Sequence, residues 1–142
     1  MKKTTLHIEY DYNFGLLGLV ASCKDYKLAW ALNKHFNLRL VKQQDLLYDF
    51  QQRGALLISN YLYSSDHSLL RLFRNKSVGI STHTKPFLLP EIKEYDYIIQ
   101  VDGLLKELQL EELYQTLQRL SLVQYVKQFN PQNLTCKENL IL

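Results

Sequence analysis

The chain has little of what lets a small protein be identified by inspection. Its two cysteines, Cys23 and Cys136, stand near opposite ends. They offer neither a disulfide framework nor the close ligand spacing of a zinc site, and reduced thiols in a cytoplasm are the economical reading. Glycine is sparse and poorly placed for phosphate cradling: large apolar residues follow Gly15 and Gly18, and neither GxGxxG nor GxxxxGK occurs. No serine lies between two glycines, as the sharp turn of a nucleophile elbow requires. His7, His35, His67 and His83 are scattered, without the spacing that sets two imidazoles on one face. No metal site and no cofactor are therefore expected.

Long apolar runs are missing too. Phe14 to Ala21 is about eight residues, far short of the ~20 that cross a bilayer, so no membrane partner is expected. Met1-Lys2-Lys3 imitates the basic start of a secretory signal, but Glu9 and Asp11 fall where its apolar core should be. A cytoplasmic location follows. Neither sign of charge dominates: the net charge of +3 is compatible with nucleic acid or an acidic partner without demanding either. The densest basic cluster is Arg71, Arg74 and Lys76.

What the chain does have is an ordinary globular balance, 46% hydrophobic and 22% charged, over a length suited to a single domain spanning residues 1–142. It also has ten tyrosines and six phenylalanines, residues that favour sheet surfaces. Thr4 to Tyr12 alternates apolar and polar residues, the period of a half-buried strand, and Leu16 to Val20 reads as a more buried one. Within that second run Gly18 permits a bulge or a close backbone approach. Ser22 to Asp25 has the form of a helix start, and Leu28, Leu32 and Phe36 then form a stripe with Ala29, leaving Trp30 off it. Asn37 ends that helix and Leu38 to Leu40 begins a strand.

Ala55 to Tyr63 and Ser68 to Phe73 flank the turn-rich Ser64-Ser65-Asp66-His67 and predict a β-hairpin. Ser77 to Pro90, punctuated by Gly79 and Pro86, predicts a surface loop. Tyr97 to Val101 reads as a buried strand ended by Asp102-Gly103. Leu110, Leu113, Leu117 and Leu120 then mark one face of a second helix, and Leu122 to Phe129 returns as a strand. The strand–helix–strand unit from Tyr97 to Phe129 is long enough for a crossover. The order predicts an α+β domain: an antiparallel or mixed sheet with two main helices packed on one face.

The densest polar and aromatic segment is Leu89-Pro90-Glu91-Ile92-Lys93-Glu94-Tyr95-Asp96-Tyr97. Pro90 suits the first position of a helical turn, where Glu91 complements the dipole. Asp96, at the mouth of a buried strand, can accept backbone N–H bonds or pair with a cation. Pro90, Glu91, Tyr95, Asp96 and Tyr97 thus form either a tied-down corner or a binding site for a cation or a basic peptide. Cys23, near a helix start, is the best single candidate for a reactive thiol, against the plainer reading of a small core residue. Tyr61 and Tyr63 share one parity, and with Arg71 on the partner strand they are the candidate RNA platform; cross-strand tyrosine packing is the alternative.

The 89–97 segment resembles the signature of the bacterial IPExxxVDY family. Pro90, Glu91, Asp96 and Tyr97 stand at the named positions, with Leu89 in place of Ile and Tyr95 in place of Val. The likeness extends to Asp25 through Trp30, Asn33-Lys34 and Asn139-Leu140, and so covers nearly the whole chain. It transfers no activity. The family's association with genes for ribonuclease III and fatty-acid synthesis implies RNA or acyl-carrier partners.

These observations lead to a non-enzymatic accessory or protein-binding domain as the first expectation. A protein partner is favoured over RNA, and Arg71, Arg74 and Lys76 are available to an acidic one. RNA association through the tyrosine-bearing hairpin is the second reading. An enzyme using Glu91 and Asp96 as a carboxylate pair is the third, and it requires the two to share a cleft.

Overall fold

The computed structural model describes residues 14–49, 54–78 and 86–141, with the side chains of 104–109 outside the description. The strand expected over Thr4 to Tyr12 lies outside the described residues, as do His7 and His83. The elements are β1 (Gly15–Val20), α1 (Asp25–Phe36), β2 (Val41–Lys42), β3 (Leu46–Asp49), β4 (Ala55–Ile58), β5 (Asn60–Ser64), β6 (Ser68–Arg74), β7 (Tyr97–Gly103), α2 (Leu104–Arg119) and β8 (Tyr125–Phe129). Short 3-10 turns lie at Pro90–Ile92, between β6 and β7, and at Pro131–Asn133 and Lys137–Leu140, after β8. No helix among the described residues is long and apolar enough to cross a membrane.

Six strands form one sheet in the order β2-β5-β6-β7-β1-β8, each antiparallel to its neighbours. β3 and β4 make a separate two-stranded ribbon. Because β1 runs between β7 and β8 and opposes both, the expected crossover through α2 joins two parallel strands that are not neighbours.

Strand alternation divides the core into two layers. Leu17 and Leu19 of β1, Leu70 and Leu72 of β6, and Ile99 and Val101 of β7 face Leu28 and Leu32 of α1 and Leu113 and Leu117 of α2. Both helices lie on this face, giving the α+β architecture that the periodicities imply. On the other face Leu16, Phe73 and Ile98 meet Leu56 and Ile58 of β4, Leu88, Leu89, Ile92 and Tyr95, and Leu134 and Leu140 from the chain after β8. That second layer is made of a ribbon and irregular chain.

Several expectations need correction. Ala55 to Tyr63 is two strands, because the chain changes layers at Ser59: Leu56 and Ile58 belong to one core and Tyr61 to the other. The predicted loop over Ser77 to Pro90 is partly interior, with Leu88 and Leu89 fully buried. Lys24, not Ser22, is the N-cap of α1, and it makes no side-chain cap. Asp25 instead accepts the Tyr26 N–H at Oδ1 and the Ser59 hydroxyl at Oδ2, 2.8 and 2.7 Å away. The strand after α1 begins at Val41, not Leu38. Asn37 does end α1, in the left-handed conformation with φ 54.

Candidate functional site

The site is built around the return of the chain from β6 to β7, and Asn75 holds that return. Its side chain is fully buried. Its Nδ2 donates to the carbonyls of Tyr95 at 2.9 Å and Ile92 at 3.1 Å, and more distantly to that of Leu89. Its Oδ1 accepts the Leu89 N–H at 2.8 Å. The Asn75 N–H donates to the Asp96 carbonyl, and its own carbonyl accepts the Leu88 N–H. A buried irregular backbone must find partners for its polar groups, and one amide side chain supplies several of them here. Sequence reasoning missed Asn75. The available signal was a lone amide directly after an apolar strand and ahead of a Pro-containing corner.

The two carboxylates of the 89–97 segment are also tied to backbone. Asp96 Oδ2 accepts the Ala21 N–H at 2.9 Å, while the Asp96 N–H donates to the Leu19 carbonyl. Glu91 Oε1 accepts the Cys136 N–H at 2.9 Å, anchoring the chain after β8. The carboxylates line different cavities: Asp96 one of about 360 Å³ and Glu91 another of about 480 Å³. Pro90 lies beside Glu91 in the second cavity, with Thr135 and Cys136. Glu91 and Asp96 are not brought into a common cleft.

Tyr95 and Tyr97 lie on opposite faces of the sheet. Tyr95 packs into the ribbon-side core, edge-on to Phe129 with ring centroids 5.2 Å apart. A Cβ on Gly18 would stand 2.8 Å from the Phe129 ring and 3.0 Å from Tyr95, so the glycine permits the close approach its position suggested. Tyr97 belongs to the helix-side core, and its hydroxyl donates to the Cys23 carbonyl at 2.6 Å. Burial pushes the Tyr97 phenol well above its ordinary range, with Cys23 and Asp25 adding to the effect. Burial also raises the Cys23 thiol, more than its backbone hydrogen bond and Lys27 lower it. The reactive thiolate envisaged at this helix start is thus opposed by desolvation.

The 360 Å³ cavity opens where β1 ends, β6 ends, α1 starts and β7 begins. Ala21 through Asp25, Arg74, Lys76, Phe87, Lys93, Tyr95, Asp96 and Tyr97 line it. Arg74 is paired in register with Tyr97 and is half-buried. Among the described residues, no hydrogen bond or ion pair occupies the charged ends of Lys24, Arg74, Lys76 or Lys93. The carboxylates beside them, Asp25 and Asp96, already accept bonds from the protein itself. The wall therefore presents four cations without protein partners beside two carboxylates, of which Asp25 uses both oxygens and Asp96 one.

The remaining candidates are distributed differently. Arg71 and Arg74 are three apart on one strand, so alternation sends them to opposite faces. Arg71 lies on the ribbon side, where Nη1 donates to Asn60 Oδ1 at 2.8 Å and the guanidinium stands 5.9 Å from the Phe73 ring centroid. Tyr61 is buried in the helix-side core and Tyr63 packs against it, opposite Leu72 and Leu70 respectively. The structure thus separates Arg71 from both tyrosines, and brings Arg74 and Lys76 together with Tyr95, Asp96 and Tyr97. Among the described residues, no group of three or more His, Cys, Asp or Glu side chains could hold a metal ion. Comparison with family models, curated proteins and solved structures gives no match.

Proposed function

We propose that the protein is a non-enzymatic cytoplasmic binding domain that receives an acidic segment of a partner protein in the basic corner cavity. The observation that carries this reading is the division of labour among the cavity's charges. Asp25 and Asp96 are spent on the protein's own backbone and on Ser59, while Lys24, Arg74, Lys76 and Lys93 have no such engagement among the described residues. Charges left in this state are available to an anion from outside, and half-burial makes Arg74 less screened than a fully solvated cation. The 89–97 segment acts as scaffold and as one wall: Tyr97 is pinned through its hydroxyl and Tyr95 through its ring. The residues that carry the IPExxxVDY resemblance wall this cavity and its neighbour, Tyr95, Asp96 and Tyr97 the first and Pro90 and Glu91 the second.

The test is retention of proteins from a ribonuclease-treated lysate by the wild-type chain and by an Arg74→Glu/Lys76→Glu variant of unchanged melting temperature. Proteins held by the first and released by the second support the reading. Equal retention by both removes the cavity from it. Partners present only without ribonuclease treatment would make RNA the ligand, through a surface other than the buried Tyr61.

A further inference from the structure

We infer that the acidic group received by this cavity is a phosphomonoester, carried on a phosphorylated side chain of the partner protein. The inference rests on the binding reading above and names the chemistry of the occupant.

Charge is the first argument. Lys24, Arg74, Lys76 and Lys93 outnumber Asp25 and Asp96 four to two around the cavity. One carboxylate brought in by a glutamate or aspartate would leave part of that excess unanswered. A phosphomonoester carries about −1.5 to −2 near neutral pH, which matches it.

The number and origin of the donors are the second argument. The cations reach the cavity from separate parts of the chain: Lys24 from the start of α1, Arg74 from the last residue of β6, Lys76 just beyond it, and Lys93 from the turn after Pro90–Ile92. Donors contributed from several segments of the wall suit a group with three terminal oxygens better than a carboxylate with two. Arg74 adds the planar fork that holds two phosphate oxygens at once.

The third argument is the framework. α1 runs for twelve residues and opens on the cavity, with its Tyr26 N–H already taken by Asp25 Oδ1, so the site's positive charge comes from the side chains. The walls are fixed before any ligand arrives. Asp96 pins Ala21 just past the end of β1, and Tyr97 pins Cys23 just before the helix. A volume of about 360 Å³ exceeds the need of a single phosphate group. The space beside Phe87 and Tyr95 is left for the chain that carries the ester.

The experiment uses immobilised degenerate peptide libraries with a fixed central phosphoserine, phosphothreonine or phosphotyrosine. Matching libraries carry the unmodified residue or glutamate. At least one phosphorylated library is expected to bind the full chain at least about tenfold more tightly than its glutamate counterpart. Arg74→Glu should abolish that preference, and so should Lys76→Glu, whose exposed site leaves folding intact. Equal binding of the phosphorylated and glutamate libraries would overturn the phosphomonoester while leaving an acidic partner standing. No binding of any acidic library would overturn both readings. Inorganic phosphate or a 5′-phosphorylated RNA oligonucleotide that binds as tightly as the phosphopeptides would overturn the protein-borne source.

Discussion

The two faces of the sheet are covered by opposite strategies. On the helix side, regular elements present apolar stripes, and their backbone groups are satisfied within each helix. On the ribbon side, irregular chain is packed just as deeply but cannot satisfy itself, and polar side chains do it instead. Asn75 holds the 89–96 corner. The Asn139 Nδ2 donates to the Leu88 carbonyl at 2.8 Å, and Gln100 Nε2 to the Leu140 carbonyl at 3.1 Å. Ser77 Oγ accepts the Leu57 N–H at 3.0 Å. Regular structure buries apolar surface cheaply, whereas irregular structure needs a buried amide or hydroxyl for each orphaned backbone group. The candidate site lies where the two strategies meet, between the start of α1 and the end of the stapled corner.

That contrast can be broken most sharply at Asn75. Asn75→Ala should cost about 3–4 kcal/mol, since removing one side chain leaves several buried backbone groups unpaired. Asn75→Asp should be no better, because a carboxylate oxygen would face the carbonyls that Nδ2 now serves. Leu32→Ala on the helix side should cost a similar ~2–5 kcal/mol through a cavity alone. Urea denaturation measures all three. Hydrogen exchange separates the causes: Asn75→Ala should expose the amides of Leu88, Leu89 and Tyr95 first, and Leu32→Ala should not.

Gly18→Ala tests the close packing of Tyr95 across β1 and should cost about 1–3 kcal/mol, because Phe129 and Tyr95 must give way together. An unchanged melting temperature would show that this layer yields more easily than its packing suggests. Asp96→Asn and Glu91→Gln should each cost roughly 1 kcal/mol, because each keeps an oxygen acceptor but weakens a charge-assisted bond to Ala21 or Cys136. Lys76→Glu, at an exposed site, should leave thermal melting nearly untouched.

The smallest effect compares one hydroxyl-anchored tyrosine on each face, Tyr48 partly buried and Tyr97 buried. Tyr48 donates its hydroxyl to the Asn139 carbonyl on the ribbon side, and burial pushes its pKa from 10 up to about 12. Its folded pKa lies above the unfolded one, so its contribution is complete below about pH 10 and is lost as pH rises towards 12. Tyr97 behaves in the same direction on the helix side. Thermal melts of Tyr48→Phe and Tyr97→Phe over that range should each fall less steeply with pH than the wild type. Unaltered slopes would show that the phenols are not held protonated by the fold.

The two sides also differed in legibility. Leu28, Leu32, Leu113 and Leu117 recur with the helical period, and alternation in β1 and β7 marks the strands they cover, so this layer was readable from spacing. The corner was visible as a dense segment, and the reading of Glu91 and Asp96 as backbone-tied acids matches their bonds to Cys136 and Ala21. The break at Ser59 was hidden because Ala55 to Tyr63 keeps strand-like composition throughout. Burial of Leu88 and Leu89 was hidden by the prolines around them, and Asn75 because a single amide has no periodicity.

The sequence by itself determined the secondary elements of the helix-covered layer, the α+β class and the chemical types gathered in the corner. These depend on local spacing, and a period of two or of 3.6 residues is a property of the chain alone. Only the tertiary structure decided which charges meet. Arg71 and Arg74, neighbours in sequence, are sent to opposite faces by the pleat, while Lys24 and Lys93, distant in sequence, are brought to one cavity by strand order. Electrostatic availability is a relation between groups in space: it depends on which acids the backbone has already claimed, and no reading along the chain contains that information.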